Sequence, residues 1–174
     1  MEIVNGERLV LGTCYYPEHW DESLWRDDLK RMLENGIEVI RIAEFAWSKI
    51  ERYEGVFNYD FFDRFLDVAA DMGMKVIFCT PTATPPAWLT EKYPEVLNAN
   101  MDGVLYRHGG RRHYNYNSPK YQELTRIIVE KSASHYAKHP AIIGWQIDNE
   151  INCEKNEFYS ESDTIAFRKF LMEK

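Results

Sequence analysis

Three polar side chains, Asp148, Asn149 and Glu150, follow at once on the apolar run Ile142-Ile143-Gly144-Trp145-Gln146-Ile147. Buried β-branched residues that give way abruptly to carboxyl and amide groups describe a parallel strand leaving the carboxyl end of a sheet. That edge is where α/β enzymes keep their chemistry. Glu150 is therefore a candidate catalytic acid, held beside Asn149. The competing reading is a strand that stops in a solvated turn, since polar strand ends are common.

Other reactive groups collect at equivalent positions. A first strand end delivers Tyr15, Tyr16, Glu18, His19 and Trp20, and a second delivers Glu44, Phe45 and Trp47. A third leads into a loop with Trp88, Arg111, Arg112 and His113. The set has no Ser-His-Asp order, no phosphate loop and no metal-type histidine cluster. Carboxylates beside indole rings suit glycoside chemistry, in which one carboxyl protonates the leaving oxygen and another supports an oxocarbenium-like centre. Trp20, Trp47 and Trp88 can either stack on a sugar or close a core, and the residues do not choose between these.

Four strand-helix units position these groups. Leu9 to Tyr16 reads as a strand, and Asp21 as the cap of a helix with Trp25, Leu29, Met32 and Leu33 on one face. Asn35-Gly36 stops that helix, and Ile37 to Ile42 is the second strand. Asp60 caps a second helix with Phe61, Phe62, Phe65, Leu66 and Ala69 inward, ending at Gly73. Met74 to Cys79 is the third strand, followed by a long loop from Thr80 to Asn117. Ser118-Pro119 starts a helix that runs to about Lys138, where His139-Pro140 ends it. After the fourth strand a last helix begins near Ser160 to Asp163 and uses Phe167, Phe170 and Leu171.

Successive strand-helix units with no low-complexity linker mean a single α/β domain over residues 1–174 with a parallel sheet. No G-x-G-x-x-G follows the first strand, which removes the best support for a doubly wound dinucleotide fold. A (β/α)8 barrel needs about 250 residues, so four units are expected to be its N-terminal half. Strands one and four then expose unpaired edges, and the chain is expected to self-associate as a homo-oligomer. The formal net charge of −7 argues against a nucleic-acid partner. No apolar run reaches membrane-spanning length, and the start lacks a leader pattern. Three well-separated cysteines, Cys14, Cys79 and Cys153, do not make a disulfide framework. Reduced thiols and a cytoplasmic location are the expectation, with Cys14 and Cys79 acting as small buried apolar groups.

Four segments in order carry a resemblance: Tyr15-Tyr16-Pro17-Glu18-His19-Trp20, Phe45-Ala46-Trp47-Ser48, Gly110-Arg111-Arg112-His113-Tyr114 and Trp145-Gln146-Ile147-Asp148-Asn149-Glu150. Together they resemble the family 42 glycoside hydrolases, which are β-galactosidases. The resemblance implies a β-galactoside substrate, no cofactor, Glu150 as general acid/base, Asn149 as its hydroxyl-binding neighbour and Arg111 as a galactose contact. The family's nucleophile is a Glu near the end of a seventh strand, so no residue of this chain inherits that role. Some members hold a structural zinc through four cysteines. Here Asn115 follows Tyr114 and only Cys153 stands in the later segment, so no zinc is expected.

Overall fold

The computed structural model describes residues 3–4, 7–151, 153, 155 and 157–174. Its elements begin with strands β1 (Ile3–Val4), β2 (Glu7–Arg8) and β3 (Leu11–Cys14), helix α1 (Trp25–Glu34) and strand β4 (Ile37–Ile42). Next come the short helix α2 (Trp47–Ile50), strands β5 (Glu51–Tyr53) and β6 (Val56–Phe57), helix α3 (Asp60–Met72) and strand β7 (Lys75–Cys79). Helices α4 (Ala87–Lys92) and α5 (Pro119–Tyr136), strand β8 (Ile142–Gln146) and helix α6 (Glu161–Met172) complete the chain.

Four strands form a parallel sheet in the order β3-β4-β7-β8. This is the α/β arrangement that the strand-helix repeat predicts, and β3 and β8 are its outer strands. At Gly12 an added Cβ would lie 3.0 Å from the Val39 carbonyl oxygen, so the smallest residue allows the close approach of β3 to β4. One face of the sheet carries a polar link: Arg41 Nη1 donates to Gln146 Oε1 at 2.8 Å, and Arg41 Nη2 lies 3.0 Å from Cys14 Sγ. Cys14 is exposed, against the expectation of a buried thiol, because β3 is an edge strand with all four residues exposed; Cys79 is buried as expected. β8 is likewise only partly covered, with Ile143 exposed.

Backbone contacts group the chain into two compact units. The first comprises residues 1–43, 59–79 and 135–147, and holds the sheet with α1 and α3. Trp25 and Leu29 of α1 and Phe62, Phe65, Leu66 and Ala69 of α3 are buried. Their 3.6-residue spacing puts them on one stripe of each helix. Trp25 meets Phe65 edge-on at 5.2 Å, and Phe62 meets Phe78 of β7 at 5.7 Å. Burying each such ring contributes about 1.5–3 kcal/mol. The stripes are narrower than predicted, since Met32, Leu33 and Phe61 are only partly covered. Asp60 is the first residue of α3, not its cap, and Tyr59 precedes it with no side-chain cap bond. Asp21 caps a 3-10 turn, Glu22–Leu24, by accepting from the Ser23 backbone, and α1 follows that turn. Gly73 ends α3 as predicted, in the left-handed conformation at φ 77°.

The second unit comprises residues 44–58, 80–134 and 148–174. It holds the β5–β6 hairpin, α2, α4, most of α5, and α6. Its buried apolar residues include Trp47, Ile50, Leu89, Val96, Tyr114 and Tyr121. Ser160 and Asp163 form a reciprocal capping box at the start of α6. Phe167, Phe170 and Leu171 of that helix, expected to face inward, are all exposed. No helix among the described residues is long and apolar enough to cross a membrane.

Candidate active site

β8 ends at Gln146, and the residues after it turn sharply. Asp148 and Glu150 both adopt the left-handed backbone region, at φ 53° and φ 48°. That region costs an L-residue roughly 1–2 kcal/mol, and Asp visits it more readily than most because its side chain bonds locally. Here the local bond is present, with the Asn149 backbone N–H donating to Asp148 Oδ1 at 2.5 Å. The Asp148 N–H itself donates to Thr80 Oγ1 at 2.7 Å, and Thr82 Oγ1 donates to Asp148 Oδ2 at 3.0 Å. The turn sends the two carboxylates to different environments: the Asp148 side chain is 11% exposed and that of Glu150 51%.

Beneath this turn lies Arg112, which is fully buried. Its Nη1 donates to Tyr114 Oη at 2.7 Å, to the Tyr116 hydroxyl, and more weakly to Asp148 Oδ1 at 3.4 Å. Burial pulls the guanidinium's pKa down, but the facing Tyr114, Tyr116 and Asp148 outweigh it and hold the pKa above the ordinary value. Burial, reinforced by the Asp148 charge, pushes both tyrosine hydroxyls up. The guanidinium and the two hydroxyls therefore stay protonated and act as a scaffold. His113, next in sequence, is buried, with its Nδ1 2.6 Å from the Gly110 carbonyl. Burial lowers its pKa below the usual 6.5.

Arg111 points to the other carboxylate. Its Nη2 donates to Glu150 Oε2 at 2.7 Å, and its guanidinium lies 5.0 Å from the centre of the Phe45 ring. The doublet Arg111-Arg112 thus divides its labour, one guanidinium for each acid of the Asp-Asn-Glu turn. Glu150 and Arg111 are in direct contact, and Asn149 lies between the two acids with its backbone fixed on Asp148. The tryptophans separate: Trp47 is fully buried and donates to Glu51 Oε2 at 2.7 Å, and Trp88 donates to the Glu51 carbonyl at 3.0 Å. Trp20 is exposed.

The arrangement can present one half-exposed carboxylate to a ligand, with a guanidinium alongside to bind hydroxyls and a rigid backbone behind. Thr80, Thr82 and Tyr116 support it without standing out in the sequence, while Arg112, named there beside Arg111, serves as a buried support. Asp148 and Glu150 are close in sequence, and the left-handed turn is what parts their side chains. Asn115, at the position where a zinc thiolate would stand, is buried and donates to Asp163 Oδ2 at 2.7 Å, to Ser162 Oγ at 2.9 Å and to the Ser160 hydroxyl. An amide in that setting does not suit a tetrahedral zinc. Among the described residues no group of three or more His, Cys, Asp or Glu can hold a metal ion.

Residues 14–174 match the sequence profile of glycoside hydrolase family 42, described as beta-galactosidase. Beta-galactosidase BgaA of Thermus sp is 46% identical over 163 residues, which are 93% of this chain and 25% of that protein. Beta-galactosidase Bga of Halorubrum lacusprofundi is 41% identical over 165 residues, 94% of this chain and 24% of that protein. The crystal structure of beta-galactosidase from the psychrophilic Marinomonas ef1 superposes with a TM-score of 0.91 at 43% identity, over 95% of this chain and 25% of its own. The chain spans about a quarter of the length of the curated relatives it matches. Its four parallel strand-helix units are the N-terminal half of a (β/α)8 barrel, as their number predicts. The profile covers nearly all of the sequence, and the chain belongs to glycoside hydrolase family 42.

Proposed function

We propose that this chain supplies the acid/base half of a retaining β-galactosidase. Glu150 protonates the glycosidic oxygen of a terminal β-D-galactoside while a carboxylate from polypeptide outside these residues attacks the anomeric carbon. Glu150 then takes a proton from water as the sugar leaves the nucleophile. Asn149 bonds the hydroxyl next to the reacting carbon, and Arg111 holds the galactose. The observation that carries the reading is the Glu150 carboxylate, half exposed just beyond the end of β8 and 2.7 Å from Arg111. Family membership and the β-galactosidase relatives support the substrate class. Acid duty at neutral pH requires a poorly solvated carboxyl, and a Glu150 side chain that is 51% exposed lacks that shelter. Turnover by this chain alone is therefore not expected.

The test is an aryl β-galactoside assay on this chain alone and mixed with the segment of the Halorubrum lacusprofundi enzyme that follows the aligned quarter. Turnover only in the mixture supports the reading. Turnover by the chain alone overturns the claim of an absent nucleophile, and preference for glucosides or mannosides transfers the acid/base role to another sugar.

A second reading is favoured by α6, on which Ile165, Phe167, Phe170, Leu171 and Met172 are exposed. Such a patch suits association with a second copy. A catalytically silent, self-associating chain would sediment as an oligomer and gain no activity in the mixture. A monodisperse monomer with two-state unfolding counts against it.

A further inference from the structure

The loop between α4 and α5 surrounds a cavity of about 320 Å³ lined by Tyr106, Arg107, His108, Arg111, Arg112 and Lys155. Every formally charged side chain of that lining is cationic, in a chain whose net charge is −7. Two of the cations are answered, Arg111 by Glu150 and Arg112 by Asp148. Among the described residues no ion pair answers Arg107 or Lys155. Lys155 Nζ is instead held 4.8 Å from the centre of the Tyr106 ring. The donors are also unequally used: Arg111 Nε and Arg112 Nε and Nη2 are buried with no hydrogen-bond acceptor among the described residues. A buried N–H without an acceptor costs about 1–3 kcal/mol, more on a charged group. Four cations gathered on one cavity suit a ligand that brings oxygen acceptors and negative charge.

We propose that this cavity binds a small oxyanion of the sulfate or phosphate class. Guanidinium forks match such oxygens in pairs, with Arg107 and Lys155 at the exposed side supplying compensating charge. A neutral sugar brings no charge to set against Arg107 and Lys155. A nucleic acid would meet the acidic remainder of the chain. The volume admits either a free anion with its waters or one borne on a single sugar ring, and the sugar-borne case alone rests on the galactosidase reading.

Isothermal titration of this chain with inorganic sulfate and with inorganic phosphate, at ionic strength fixed with chloride, tests the site. Saturable one-to-one binding is expected, weakened about tenfold or more in the double variant Arg107→Gln/Lys155→Gln. Both positions lie outside the Glu150 machinery, and circular dichroism melting verifies that the variant folds. Absence of saturable binding, or equal affinity in a folded double variant, overturns the proposal. A parallel titration with galactose 6-sulfate and galactose identifies the source. Tighter binding of the sulfated sugar than of both sulfate and galactose supports a sugar-borne anion, and no gain over inorganic sulfate supports a free one. Since these titrations need no turnover, their failure is separable from failure of the activity assay.

Discussion

The two compact units of this chain are held together by different physics. The first buries rings and aliphatic chains, with Trp25, Leu29, Ile40, Phe62, Phe65 and Phe78 at its centre. Among its ion pairs, Arg26–Asp71 and Arg64–Glu22 are at the surface. The second buries Arg112, Asp148, Asn98, Asn115, Ser160 and Asp163 among its rings. Apolar burial is non-directional and tolerates small changes of shape. Buried polar groups are favourable only when each finds its partner, so their geometry is demanding. The scaffold unit can therefore be approximate, whereas the unit that carries Glu150 cannot.

The largest expected effect separates chemistry from folding within the second unit. Glu150→Gln in the reconstituted enzyme should lower turnover of a galactoside by about 10²–10⁴-fold, with the melting temperature of this chain unchanged because the side chain is half exposed. A loss of stability as large as the loss of rate would make Glu150 a structural residue.

Next comes a matched pair of near-isosteric substitutions, one in each unit. Asp148→Asn leaves Arg112 charged and buried without its counter-ion, at an expected cost of about 3–5 kcal/mol. Ile40→Leu, in an apolar site with no exposure, should cost under about 1.5 kcal/mol. Urea denaturation of both variants measures the contrast, and equal losses would erase the distinction between the units.

The same contrast explains what the sequence discloses. The stripes of α1 and α3 are legible because burial follows the helical period, and Gly73 announces its left-handed stop. Arg112 is not legible, because its meaning depends on Asp148 lying 36 positions later and on two tyrosine hydroxyls. Thr80 and Thr82 look like ordinary loop residues until the turn at Asp148 reaches them. The β5–β6 hairpin is not legible in the sequence, since its strands are only three and two residues long around Gly55. Phe167, Phe170 and Leu171 were misplaced for a different reason. An apolar stripe states that a helix face suits burial, but not which surface covers it.

A smaller effect should appear in the pH dependence of the second unit. Burial lowers the His113 pKa below 6.5, so the unfolded chain binds the proton more readily than the folded one. His113 stability is therefore fully present above about pH 6.5 and is lost as the pH falls through the depressed folded value. Thermal melts between about pH 7 and about pH 5 should show a decline, and His113→Gln should make it shallower. An unchanged slope in the variant would assign the decline to other groups.

The smallest effect belongs to the surface of the first unit. Arg64 donates to both oxygens of Glu22, at 3.1 and 2.6 Å, a two-bond geometry that looks strong in isolation. Both side chains are about half exposed, at 54% and 46%. Water solvates each partner almost as well apart as together, and two long side chains lose freedom in pairing. At about 0.15 M ionic strength the screening length is roughly 8 Å, which weakens the pair further. Arg64→Gln should therefore leave the melting temperature within the scatter of replicate scans. A clear drop that survives high salt would mean that this surface pair supports the packing of α3, and that the first unit also relies on a polar contact.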